Sequence, residues 1–207
     1  MTLVKICGIR TETEALFCQK YGAWAIGEVF APSKRRIEVE EAARINQRVG
    51  EKILKIGVFV DEKLENLLYI ARSAFLDMVQ LHGEESPEYA EEIYLPVIKC
   101  FKVGGEVDED EFKRWRTWAY LFDTADFKVA GGTGKTFNWD FISHLKDKSR
   151  IILAGGLSPD NVKEAVLKIR PMAVDVSSGV EFAGRGKDPE KVKRFIAEVK
   201  EADRCVS

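Results

Sequence analysis

RIILAGGLSPDNVKEAVLKIRPMAVDVSSGVE (residues 150–181) is the stretch that decides the fold. It reads as strand, glycine loop, helix, strand. RIILA (150–154) and MAVDVSS (172–178) are short apolar runs of strand length. Between them Val162, Ala165, Val166 and Ile169 recur at i, i+3, i+4 and i+7, one apolar stripe on a helix. Two strands joined through a helix run parallel in one sheet, because a crossover of that length returns the chain to the same end.

The same unit repeats toward the N-terminus. LVKIC (3–7), AWAIGEVF (23–30), ILKIGVFV (53–60), LDMVQLH (76–82), PVIKCFKV (96–103) and AYLFD (119–123) read as further strands, and with the two above make eight. Leu64, Leu67, Leu68 and Ala71 form a second helical stripe, and Val192, Phe195, Ile196 and Val199 a third. Thr11 with Glu14 makes a capping box, Gly22 suits a left-handed helix end, and Pro87 and Pro159 suit first helical turns. Strand–helix repetition of this kind predicts a parallel eight-stranded (β/α)8 TIM barrel in a single domain, residues 1–207. A doubly wound open sheet is the competing arrangement. It carries a GxGxxG loop after its first strand, where this chain has CGIRTE.

Composition narrows the class of function. Lys and Arg number 32 against 34 Asp and Glu, a formal net charge of −2, which argues against a nucleic-acid partner bound by bulk charge. No apolar leader or membrane-length run is visible, so no membrane partner is expected. Cys7, Cys18, Cys100 and Cys205 are widely spaced and read as reduced thiols of a cytoplasmic protein. Together with only two histidines, His82 and His144, they offer no local zinc-ligand spacing, so no metal is expected.

Barrel chemistry sits at the C-terminal strand ends. Those ends supply Lys5 and Cys7, Arg35 and Arg36, Asp61, Gln80 and His82, Asp123, Gly155 and Gly156, and Asp175, Ser177 and Ser178. Alternation puts Lys5 with Cys7, Gln80 with His82, and Asp175 with Ser177 on common faces. Glycines after the seventh and eighth strands suit a phosphate site made of backbone N–H groups. GGTGKT (131–136) is not a P-loop, since Val129 stands where the first glycine is required. The loop from Asp123 to Phe137 reads instead as a lid.

VKICGI (4–9), QLHGE (80–84), LFDT (121–124), GGTGKTFNW (131–139), AGGLSPDNV (154–162) and VDVSSGVE (174–181) together resemble the phosphoribosylanthranilate isomerase family of tryptophan biosynthesis. The resemblance implies a cofactor-free Amadori rearrangement of a phosphorylated small molecule; a monomer or homodimer is expected. It assigns Cys7 as general base and Asp123 as general acid. It assigns Arg36, with Arg35 the alternative, to the anthranilate carboxylate. It gives the phosphate to Gly155, Gly156, Ser177 and Ser178, and places His82 and Asp175 at the mouth, where the strand-end pattern adds Lys5 and Gln80 as substrate-binding residues. Two positions depart from the family pattern. Glu28 stands where an apolar residue is usual, with Lys5 a candidate partner for its carboxylate, and Asn138 replaces a usual Asp.

The chemistry fits these residue types. Ring opening needs a proton for the furanose oxygen, which a carboxylic acid at Asp123 can supply. Removal of the C2 hydrogen needs a base. A free thiol titrates near ~8.5, so Cys7 gains from a cation such as Lys5. Two other readings remain: a histidine-pathway or dual-pathway sugar-phosphate isomerase, which uses Asp on the first strand, and a non-catalytic sugar-phosphate-binding barrel.

Overall fold

A computed structural model describes residues 1–124, 138–182 and 186–206 of the chain. Eight parallel strands close into one barrel in sequence order: β1 (Leu3–Cys7), β2 (Ala25–Val29), β3 (Leu54–Phe59), β4 (Met78–Leu81), β5 (Val97–Val103), β6 (Ala119–Thr124), β7 (Ile151–Leu153) and β8 (Ala173–Val176). Helices α1 (Glu12–Tyr21), α2 (Val39–Val49), α3 (Leu64–Ser73), α4 (Pro87–Glu91), α5 (Glu109–Lys113), α6 (Asp140–Ser143), α7 (Val162–Ile169) and α8 (Pro189–Val206) alternate with them.

Local signals place several boundaries. Thr11 Oγ1 accepts from Glu14 N while Glu14 Oε2 accepts from Thr11 N, and Gly22 ends α1 at φ 89°. Pro87 opens α4 behind Ser86, whose hydroxyl accepts from Tyr89 N. Pro159 differs from expectation. It lies in the turn before α7, because the Asn161 side chain is committed to that turn through Gly156 O and Ser158 N. The lid reading of 123–137 and the GGTGKT segment fall outside the described residues after Thr124. Asn138 Oδ1 accepts from Asp140 N at 3.1 Å and serves the start of α6.

Alternation divides the apolar residues into two layers. Ile56, Met78, Ile98, Leu121 and Ile152 pack inside the barrel with Ala25, Ala119 and Ala173. A larger layer, including Ile26, Phe59, Val79, Phe122, Leu67, Val166 and Phe195, lies between sheet and helices. Trp24 and Trp118 stack at 5.6 Å beside the start of β2 and β6, at the end of the barrel away from the mouth.

Glu28 belongs to the outer layer, which corrects its expected pairing with Lys5. Its neighbour Gly27 faces the lumen, so alternation turns Glu28 toward α2. There Asn46 Nδ2 donates to Glu28 Oε2 at 2.9 Å and to Ala74 O at 2.8 Å. Glu28 Oε1 and Asn46 Oδ1 are both buried without a partner. Burial pushes the Glu28 carboxyl up to about 8, with Asn46 and Lys55 opposing. A proton on Oε1 would make it a donor. Between about pH 4.5 and about pH 8 the folded protein therefore holds a proton that the unfolded chain has released, and stability falls as pH rises by up to ~1.4 kcal/mol per unit. Glu28→Gln removes that slope. Its melting temperature should exceed the wild type's by a margin that grows from pH 5 to pH 8. Melting curves that stay parallel across this range would contradict the assignment.

Candidate active site

Lys5 and Asp175 are direct neighbours across the β1–β8 seam. Lys5 Nζ donates to Asp175 Oδ1 at 3.0 Å, and the lysine is fully buried. Burial alone would lower its pKa, but the Asp175 carboxylate, with Cys7, outweighs that and holds it raised. Both Cys7 Sγ and Lys5 Nζ crowd Gly27: a Cβ there would stand 2.9 Å from the sulfur and 3.0 Å from the nitrogen. The missing side chain on β2 is thus what leaves room for a thiol and an ammonium together.

A second polar group lies at the end of β4 and on β5 and β6. His82 Nε2 is 3.5 Å from Asp123 Oδ2 and 3.6 Å from Cys100 Sγ. Gln80 Nε2 lies 3.0 Å from His82 Nδ1 and fixes the ring. The neighbouring Cys100, then the hydrogen bond to Asp123, hold His82 well above its usual range against burial. Asp123 Oδ1 accepts from Thr124 N at 2.7 Å. Gly155, at φ 83°, comes close to it: a Cβ there would be 2.9 Å from Asp123 Oδ1 and would strike Thr124. That contact ties the loop after β7 to the end of β6.

The glycine loops meet on the other side. Gly179 packs against the Leu157 carbonyl so closely that any Cβ would collide with it. Ser177 Oγ donates to Cys7 O at 2.9 Å, joining the loop after β8 to the end of β1. Lys187 Nζ donates to Ser177 O at 3.1 Å and to Glu181 Oε1 at 2.8 Å. Glu181 also receives Arg35 Nε at 2.6 Å and Nη2 at 3.0 Å. Burial alone would raise Glu181, yet Arg35 and Lys187 bring it down to about 2. Burial pulls Lys187 below its usual range, with Glu181 opposing.

The two arginines therefore differ. Arg35 has its fork occupied, whereas the Arg36 side chain is 52% exposed, with Glu38 at 3.5 Å. Asp61 accepts from Glu84 N at 2.7 Å and braces the turn after β4 rather than facing the lumen. Glu181, Lys187 and Cys100 had no place among the sequence-derived site residues. Glu181 follows SSGV directly, the one signal that could have drawn attention to it.

The family model of N-(5'-phosphoribosyl)anthranilate (PRA) isomerase matches residues 4–198. The chain belongs to that family. A relative from Syntrophomonas wolfei, named N-(5'-phosphoribosyl)anthranilate isomerase, is 56% identical over 201 residues, covering 97% of this chain and 98% of that one. The phosphoribosyl anthranilate isomerase of Thermotoga maritima superposes with a TM-score of 0.89 at 42% identity, covering 97% of this chain and 100% of its own. Another such isomerase, solved in complex with reduced 1-(o-carboxyphenylamino)-1-deoxyribulose 5-phosphate, gives 0.86 at 40% identity, with coverage of 97% and 100%. The chain is thus an enzyme, an isomerase of tryptophan biosynthesis. No helix among the described residues is long and apolar enough to cross a membrane.

The Lys5–Asp175 pair lends itself to a direct test. Removing one partner strands a buried charge, which costs ~3–5 kcal/mol, whereas replacing both with apolar residues can be nearly neutral. In urea unfolding, Lys5→Met should lose stability in that range, and Lys5→Met/Asp175→Leu should recover most of it. A double variant that loses the sum of the two single effects would contradict this picture.

Proposed function

We propose that this barrel catalyses the Amadori rearrangement of N-(5'-phosphoribosyl)anthranilate, with Asp123 as general acid and Cys7 as general base. The observation that carries the reading is a thiol and a carboxyl at the ends of β1 and β6, three strands apart round the ring, each beside its own cationic or imidazole partner. Asp123, carrying a proton, delivers it to the furanose ring oxygen as the C1–O bond breaks. The amine lone pair closes a C1=N iminium. Cys7 as thiolate then takes the C2 proton, and the C–H electrons form the C1=C2 bond and neutralise the nitrogen. Ketonisation of the resulting enol puts one proton on C1 and removes one from the C2 hydroxyl. Reactant and product are isomers, and no redox partner is needed.

The remaining residues have supporting roles. The Lys5 ammonium stabilises negative charge at Cys7 by proximity, while Asp175 neutralises the lysine in the resting enzyme. Arg36 takes the anthranilate carboxylate, since the Arg35 fork is already engaged by Glu181. Gly155, Gly156, Ser177 and Ser178 hold the phosphate, and the cationic Lys187 behind Ser177 favours an anion there. His82, oriented by Gln80, faces the acid and the substrate. The chain acts as one cytoplasmic domain, monomeric or dimeric, with neither nucleic acid nor membrane as partner.

The test is steady-state turnover of enzymatically generated substrate, followed by loss of its fluorescence. Cys7→Ala and Asp123→Asn, each shown to be folded, should lower kcat by roughly 10²–10⁴. Near-native turnover in either variant removes that residue from the mechanism. Absence of turnover in the wild type favours a barrel that only binds sugar phosphates.

A further inference from the structure

The geometry points to a binding site for zinc-class divalent cations formed by His82, Cys100 and Asp123, through which such a cation switches the isomerase off. These residues come from the position just after β4, from β5 and from β6, and lie 18 and 23 positions apart, so no local ligand motif announces them. An imidazole nitrogen, a thiol and a carboxylate form the mixed ligand set that zinc favours over calcium or magnesium. Tetrahedral zinc, with Zn–S about 2.3 Å and Zn–N and Zn–O about 2.0–2.1 Å, sets N···S near ~3.6 Å and N···O near ~3.4 Å. The observed separations are 3.6 Å for His82 Nε2 to Cys100 Sγ and 3.5 Å for His82 Nε2 to Asp123 Oδ2. All three ligand atoms lie within 4.8 Å of one another. Two edges of the coordination polyhedron thus already have their bonded length.

The surroundings meet the other requirements. A ligating histidine needs its second nitrogen held by an outer group. Gln80 does this at Nδ1, 3.0 Å away, and a half-turn of its amide brings to Nδ1–H the Oε1 that otherwise lacks a partner. His82 and Asp123 keep 27% and 30% of their side-chain surface exposed, which leaves an entry path and a position for a water ligand. Cys100 sits behind them, 5% exposed. On binding, a sulfur–metal bond replaces the Cys100 S–H bond and the proton leaves to solvent, as does any proton on His82 Nε2. The metal keeps its charge state. With Asp123 bound to it, the carboxyl can no longer carry the proton for ring opening, so the predicted effect is inhibition that chelation reverses. This last step rests on the role proposed above for Asp123, whereas cation binding does not.

Cobalt(II) is the probe, because a cobalt–thiolate bond absorbs in the near ultraviolet and needs no substrate to be seen. Titration of the metal-free protein with Co2+ should produce this band. Cys100→Ala, or the closer-sized Cys100→Val if the first does not fold, should abolish it, and Cys7→Ala should leave it. In the assay, Zn2+ should inhibit the wild type and EDTA should restore turnover. Relative to its own uninhibited rate, Cys100→Ala should need roughly tenfold more Zn2+ or above for the same fractional inhibition. Absence of the band, its loss with Cys7 rather than Cys100, or equal zinc sensitivity of wild type and Cys100→Ala overturns the proposal. A band without inhibition keeps the cation site and counts against Asp123 as the acid.

Discussion

One buried ion pair fixes the reactive end of this barrel. Lys5 and Asp175 face each other across the β1–β8 seam, where the sheet closes on itself. A charge taken from water costs several kcal/mol unless it is met by its opposite in good geometry. The pair therefore has one acceptable register, and a slip of one residue would turn both charges onto apolar neighbours. That register also sets Cys7 at the end of β1, two residues beyond Lys5 on the same face, and Ser177 two residues beyond Asp175. The hydrogen bond from Ser177 to the Cys7 carbonyl follows from it. So does the need for Gly27, since the thiol and the ammonium together occupy the space a β2 side chain would fill.

The loops after β2 and β8 hang on a second charged cluster. Glu181 receives Arg35 and Lys187 at once, which pins the segment after β8 to the loop after β2 and to the chain leading into α8. Arg35 is thereby spent on structure, and Arg36 at the rim keeps its guanidinium toward solvent. Across the mouth, Gly155 brings the loop after β7 against Asp123, so the end of β6 and the glycine loop are set by one close contact.

Much of this was legible in the sequence. The alternation of apolar runs with 3.6-period stripes specified a parallel barrel, and the Thr11–Glu14 box and Gly22 marked both ends of α1. The partner of Glu28 was not legible, and Lys5 was the wrong candidate. A strand of a parallel barrel is apolar on both faces, so its phase cannot be read from alternation. Only Gly27, turned inward beside Cys7, shows that Glu28 must point out toward Asn46. Metal-ligand spacing is not local in the sequence, whereas His82, Cys100 and Asp123 meet when three neighbouring strands align. The choice between Arg35 and Arg36 depends on loop geometry, which no periodic pattern reports.

If Cys7 is the base, its thiol faces the substrate at the mouth. Peptide-resolved mass spectrometry of alkylation by iodoacetamide near neutral pH tests it, with the fully buried Cys18 as an inert internal reference and the exposed Cys205 as a reactive one. Cys7 should label faster than Cys18. A product analogue carrying both phosphate and carboxylate should slow Cys7 and leave Cys205 unchanged. Labelling of Cys7 no faster than Cys18, or no protection by the analogue, would contradict Cys7 as the base.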